Sequence, residues 1–321
     1  MHEDQNIYKQ PLNEVNSVEH SSLELKNNKT DVSTQQNAMD QPCSCGGGGG
    51  CSCSSKTAKM SSPLYVYAIG KVVHRFPTRS LELELAQATA RRAEEETRGR
   101  AGEEVVYKAL IDPDNRYIAR QVCYVLTIEG LETYILVPTD PLDVDRLAQA
   151  LRVAPGPVGD IDVIIGRRGP LAPPEMCNGL MVPVVMVDQI YSFDRDALMK
   201  AIPKRKGENE DQFKKTAGIL FNHIIQIADN AGATDEHRAL NYLAVRYDEV
   251  YHRTQLMQDE NYSFTAVDVR PSRLSGTRKV VDVVFSYENR TNRAMQQWFV
   301  RVDVTEEFPF LVSPMQQYFE R

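Results

Sequence analysis

The sequence predicts an α+β fold, with mixed helices followed by a C-terminal antiparallel β-meander and preceded by a disordered tail. Three observations carry this. Met1 to about Gln41 is rich in Asn, Gln, Ser, Glu and Asp, and its isolated apolar residues never sustain a period, so it cannot bury enough surface to offset chain entropy. The middle of the chain holds apolar residues at helical spacing. At the end, FTAVDV, KVVDVVFSY, QQWFVRVDV and FPFLV alternate in period two and are separated by the turn-rich stretches PSRLSGT, ENRTNRA and EE.

Taken in order, the polar tail runs into CSCGGGGGCSC, Cys43 to Cys53, and then a Ser/Lys segment. Consecutive glycines make a flexible backbone, so residues 1–62 are assigned as tail and linker. LYVYAIGKVVHRF, from Leu64, has the aromatic and β-branched bias of a strand, broken or bulged at Gly70. Ser80 stands as the N-cap of a helix over LELELAQATARRAEEE, which ends near Gly99. A second helix spans Glu103 to Leu110 and stops at the turn signals Asp112 to Asn115. Tyr117 to Leu126 fits a helix by its arginine spacing and a strand by CYVLTI. Glu129 and Gly130 then turn the chain into the returning hairpin arm ETYILVP. Pro141 to Leu151 reads as a capped helix. IDVIIG and VPVVMVDQIYSF read as strands buried on both sides, joined by the Pro/Gly-rich loop RRGPLAPPEMCNGLM.

From Asp211 to Ala228, the residues Ala217, Leu220, Phe221, Ile224, Ile225 and Ala228 keep to one helical face. Asn230 to Ala233 breaks this helix. Thr234 caps the next, whose stripe is Leu240, Leu243, Ala244 and Tyr247, so a helical hairpin is expected. Residues 63–321 are therefore assigned to an α+β body, either undivided or in two lobes split near residue 205.

With 321 residues, 42% of them hydrophobic, the chain can bury a substantial core. A net charge of -7 without a long Lys/Arg run argues against nucleic acid as a partner, because binding to phosphates rests on positive charge. No apolar run approaches a membrane span, and MHEDQNIYKQ is neither a secretory signal nor a mitochondrial presequence. A cytoplasmic protein with no membrane contact is the expectation. Of the six cysteines, only Cys123 and Cys177 lie in the body, so the set does not read as a disulfide framework, and reduced thiols in a reducing compartment are the expectation.

Several clusters carry candidate chemistry. The four thiols between Cys43 and Cys53 could wrap Zn2+, but C-x-C is tighter than the knuckle of structural zinc sites, and a flexible tether with incidental thiols is the favoured reading. GGGGGCSCSSKT fails as a P-loop because Ser55 precedes Lys56 and no strand feeds the loop. His223 and His237 fall on helix faces that border packed surface, and with Cys123 and Cys177 they form a candidate zinc set. His252 is placed on the surface of the following helical segment. Cys177 is the one thiol to test as a nucleophile, although no base can be read beside it; no catalytic residue is assigned. Arg270, Arg273, Arg278 and Lys279 flank PSRLSGT, and clustered cations beside a Gly turn suit capture of an acidic peptide or another anion; a solvated turn is the competing reading.

The blocks NRYIARQVCYVLTIEGLETYILVP, RRGPLAPPEMCNGLMVPVV, DQIYSF, ADNAGATDEHRALNYLAVRY, SGTRKVVDVVFSYENR and FVRVDVTEEFPFLV together resemble the C-terminal domain of unknown function of the PatA/PatG proteases of cyanobactin (patellamide-type) biosynthesis. The resemblance runs from about Leu64 to Arg321. In that family the domain follows subtilisin-like proteases that cut, and in one paralogue macrocyclise, a ribosomal precursor peptide. No subtilisin-type Asp, His-Gly-Thr or Gly-Thr-Ser-Met segment is found here, so no catalytic residue carries over.

The resemblance implies the pathway, maturation of ribosomal peptides. With no convergent nucleophile, base and oxyanion device in the sequence, the favoured expectation is a non-catalytic accessory or scaffold module that binds the precursor peptide or a maturation protease or cyclase, as a monomer or homodimer. The alternative is a metal-dependent enzyme built on Cys177 and the helix histidines. A third reading takes the Cys/Ser-rich tail as a fused precursor whose residues are cyclised to azolines.

Overall fold

The computed structural model describes residues 64–93, 102–152, 160–194, 210–226 and 230–319, with residues 198 and 202. The tail and Cys/Gly-rich linker, and the lobe boundary read near residue 205, lie outside the described residues. No helix among them is long and apolar enough to cross a membrane.

The first part of the body is a closed five-stranded barrel in the order β1-β2-β3-β5-β4. Its strands are β1 Tyr65–Arg75, β2 Cys123–Ile128, β3 Leu131–Pro138, β4 Asp160–Leu171 and β5 Pro183–Asp194. All neighbours are antiparallel except β3 and β5, which run parallel. This closure, with one helix between β3 and β4, is the Greek-key arrangement of OB-type barrels. Four helices accompany it: α1 Arg79–Ala93, α2 Glu103–Ile111, α3 Arg116–Ala119 and α4 Val144–Gln149. One apolar cluster draws on all five strands, through Val66, Ala68, Tyr124, Leu126, Tyr134, Leu136, Ile164 and Val185 among others. Leu81, Leu85, Leu110, Ile118 and Leu147 of the helices complete it.

Gly70 is where the barrel closes. Its half of β1 before this point pairs with β4, ending at Gly70 opposite Asp162, while Lys71 onward pairs with β2. The strand expected to be broken or bulged here runs through and changes partner. A Cβ at Gly70 would meet the Thr127 carbonyl oxygen at 2.3 Å, so the close approach of β1 to β2 needs glycine. The Val72 N–H goes to the buried Asp162 side chain at 2.7 Å, and Ser192 Oγ donates to the same carboxylate at 2.5 Å. Asp162→Ala would leave a buried N–H without its acceptor. An expected stability loss of about 2–3 kcal/mol follows, read as a lower urea midpoint at unchanged slope.

Among the described residues, the second part holds three further helices and a sheet. The helices are α5 Glu210–Ile225, α6 Asp235–Arg246 and α7 Glu249–Asp259. The sheet is the expected antiparallel meander, β6 Tyr262–Pro271, β7 Val280–Asn289, β8 Met295–Asp303 and β9 Phe310–Tyr318, in sequential order. A single core joins the outer wall of the barrel (Tyr67, Ile69, Val163, Ile165) to the helices (Leu220, Phe221, Leu240, Leu243) and the sheet (Val283, Phe285, Val300, Val302). The helices thus form the middle layer. This explains why β4 read as buried on both sides: its alternate residues serve the two different cores, as do those of β1.

Local signals resolve as follows. Glu129 and Gly130 both have positive φ, 51° and 81°, in the two-residue loop of the β2–β3 hairpin, which is the type I′ requirement. Thr234 Oγ1 accepts from the His237 N–H at 3.1 Å, as a cap should. At α1 the cap is Thr78, whose Oγ1 accepts from Leu81 N–H at 3.3 Å, so the helix starts ahead of the expected Ser80. The ambiguous Tyr117–Leu126 segment is both things in turn, α3 and then β2. His252 is corrected from surface to core. It is 2% exposed, and its ring stacks on Phe213 at 5.1 Å, because α7 folds back along α5.

Candidate functional site

The four cations flanking PSRLSGT lie at the sheet end near α6, and three of them are already engaged. Arg278 pairs with the buried Asp303 carboxylate and lies over the Phe310 ring at 5.2 Å. Burial alone would raise the Asp303 carboxyl, but hydrogen bonds from Arg278 and Thr305 outweigh it and hold the group below its ordinary range. Lys279 Nζ reaches Asp235 Oδ2 at 3.2 Å, and Arg270 lies over Tyr318 at 4.7 Å. Arg273 is exposed. An acid arriving here must compete with internal partners for every cation but Arg273.

The proposed zinc set is dispersed. Against the expectation of reduced thiols, Cys123 and Cys177 form a disulfide, because β2 and the loop between β4 and β5 bring these distant positions together, packed with Val125, Ile135 and Ala172. That loop is the Pro/Gly-rich segment, turned by Asn178 and Gly179 at positive φ. His223 lies on α5 with its ring 5.7 Å from Phe264, and His237 is in the first turn of α6. Among the described residues no three His, Cys, Asp or Glu side chains gather as a metal-binding group. The thiols between Cys43 and Cys53 lie outside the described residues.

A cleft of about 570 Å3 opens on the barrel between α2, α4 and β5. It is lined by Tyr107 and Ile111 of α2, by Arg146 and Gln149 of α4 with Arg152 just beyond, and by Ile190 and Ser192 of β5. Arg146 is held by Asp143 at 3.2 Å. Ser192 is held by the buried Asp162. The arrangement offers two guanidinium groups, an amide and a hydroxyl beside an apolar surface. Such a set can bind an anionic or polar chain and seat an aliphatic side chain at the same time.

Sequence reasoning missed this cleft. Arg146, Gln149 and Arg152 recur at intervals of three, which was a readable signal that they share one face. Nothing in the sequence brings Tyr107, Ile190 and Ser192 to that face. Their meeting depends on barrel closure and on α2 lying against α4.

Part of the chain is similar to a known family. Residues 207–318 match the family model described as PatG C-terminal. The fold aligns with a solved structure described as "PatG Domain of Unknown Function" at a TM-score of 0.62 and 18% identity, covering 79% of this chain and 98% of that one. At that identity the likeness is one of fold. No curated protein matches the sequence.

Proposed function

We propose, from the premise that this chain carries a PatG C-terminal domain, that it is an accessory binding module in cyanobactin-type ribosomal peptide maturation and that it captures the precursor peptide in the cleft between α2, α4 and β5. The pathway is inferred from the family. The observation that carries the binding reading is the pairing of Arg146 and Arg152 with the apolar surfaces of Tyr107, Ile111 and Ile190. An acidic or carboxylate-bearing stretch would lie along the guanidinium groups while a neighbouring aliphatic residue packs on the apolar lining. The cations around PSRLSGT are engaged by Asp303, Asp235 and Tyr318 as Arg146 is by Asp143, and no cleft with an apolar lining accompanies them among the described residues.

Anisotropy of a fluorescently labelled precursor peptide titrated with the full chain tests the proposal. A saturable rise with Kd of about 10 μM or tighter is expected. No binding at high micromolar protein would overturn it.

A further inference from the structure

We infer that Cys123 and Cys177 form a site of reversible thiol–disulfide exchange, and that a dithiol reductant acting there releases the loop between β4 and β5 from the barrel wall. The two cysteines are 54 positions apart in sequence, yet their Cα atoms are 6.1 Å apart. Cys123 opens β2, and Cys177 lies midway along residues 172–182, which join β4 to β5. None of the residues clustered around the pair lines the cleft between α2, α4 and β5, so the site does not rest on the peptide-binding reading.

The loop's own hydrogen bonds do not tie it down. Met176 N–H donates to the Pro173 carbonyl at 3.0 Å, Gly179 N–H to that of Pro174 at 2.7 Å and Leu180 N–H to that of Cys177 at 3.1 Å, all inside the loop. Its neck is closed by the Ala172 N–H on the Val182 carbonyl at 2.9 Å, beside the pairing of Leu171 with Pro183. Among the described residues, no backbone hydrogen bond runs from residues 173–181 to another element. What fastens them to the wall is the disulfide, with the apolar packing of Met176 and Leu180 on the cluster of Val125 and Ile135. After reduction the Cys123 thiol can donate to the Met176 carbonyl, 3.4 Å away, but a thiol is a weak donor and replaces a covalent bond poorly.

Cutting the bond is a local event. The barrel closes through its own strand ladders and the core shared with its helices, and residues 173–181 take part in neither. The bond joins a peripheral loop to a strand that β1 and β3 already hold on both sides. Cys177 is fully buried while Cys123 is 8% exposed, so an incoming thiolate attacks Cys123. A bond forms between the two sulfurs, the Sγ–Sγ bond breaks, and Cys177 leaves as a thiolate that takes up a proton. The second thiol of the reductant then attacks its partner sulfur in the mixed disulfide, and Cys123 leaves and is protonated in turn. The reductant ends as a disulfide, its electrons and protons having passed to the two cysteines.

The test uses the full chain with Cys43→Ser, Cys45→Ser, Cys51→Ser and Cys53→Ser, so that only the body cysteines report, purified without reductant and then treated with dithiothreitol. Thiol titration after denaturation should find neither body thiol free before treatment and both free after it, and oxidised glutathione should restore the first result. Hydrogen-exchange protection at Met176, Gly179 and Leu180 should fall about tenfold or more on reduction, while Ile164 and Ile165 of β4 keep theirs within about twofold. Cys123→Ser/Cys177→Ser should match the reduced chain with and without dithiothreitol. Free body thiols before treatment, a bond that dithiothreitol leaves intact in the folded chain, or loop protection unchanged by reduction would each overturn the inference. So would an equal loss at Ile164 and Ile165, which would make the bond a staple of the whole barrel.

Discussion

Replacing Gly232 by valine is expected to cost about 3–5 kcal/mol and to separate the helical layer from the barrel. Gly232 sits at φ +69°, a left-handed backbone that side chains with a branched Cβ resist strongly. A Cβ there would lie 2.3 Å from the Tyr67 carbonyl oxygen and 2.6 Å from Ala68 Cα, both backbone atoms of β1 that cannot give way. The residues around it are the docking seam. Gly232 O accepts the Tyr67 N–H at 2.9 Å, Asn241 Nδ2 donates to Tyr67 O at 2.8 Å, and Ala231 O accepts from the Tyr134 hydroxyl at 2.9 Å. Strain and lost hydrogen bonds thus fall on one short segment, and their magnitudes add. Urea unfolding read by tyrosine absorbance and far-ultraviolet circular dichroism measures the loss. Gly276→Ala, where a Cβ meets nothing within 4 Å, is the control and should shift the midpoint little. A Gly232→Val loss below about 1 kcal/mol would show that the seam does not hold the layers together.

Arg238→Met is expected to cost about 3 kcal/mol, concentrated at the β8–β9 turn. Arg238 is 2% exposed, and desolvation lowers its guanidinium group from the usual arginine value although nearby acidic groups oppose this. It remains charged because it donates to three carbonyls and faces Asp235. Methionine keeps much of the volume but leaves those carbonyls without a donor, and unsatisfied buried acceptors are expensive. Lysine would recover little, since an ammonium group lacks the planar fork that spans several acceptors. Equilibrium unfolding gives the total loss, while amide exchange at residues 304–309 locates it. Wild-type stability in Arg238→Met would mean that the carbonyls find other donors.

Much of this architecture was legible because it is written in local chemistry. Thr234 capped its helix, Glu129 and Gly130 closed the hairpin, and the four period-two segments became β6 to β9 in order. What escaped was whatever depends on non-local pairing. IDVIIG and VPVVMVDQIYSF read as strands, but their apolar runs say nothing of a barrel in which β5 pairs parallel with β3 and antiparallel with β4. His252 was misplaced because α7 alone has no strong apolar stripe; its burial comes from α5 packed over it.

The candidate sites divide along the same line. Arg270, Arg278 and Lys279 were visible as a charge cluster, yet their partners Tyr318, Asp303 and Asp235 come from distant segments.

The central claim is that the cleft between α2, α4 and β5 receives the precursor peptide, and charge reversal there tests it most directly. Calorimetric titration of the precursor peptide into wild-type chain and into Arg146→Glu/Arg152→Glu should show at least tenfold weaker binding to the variant, about 1.4 kcal/mol or more. The matched Arg273→Glu/Arg278→Glu variant should bind within about twofold of wild type. Equal affinity for the cleft variant and the wild-type chain, with loss of binding only in the Arg273/Arg278 variant, would contradict the account and move the peptide to the PSRLSGT turn.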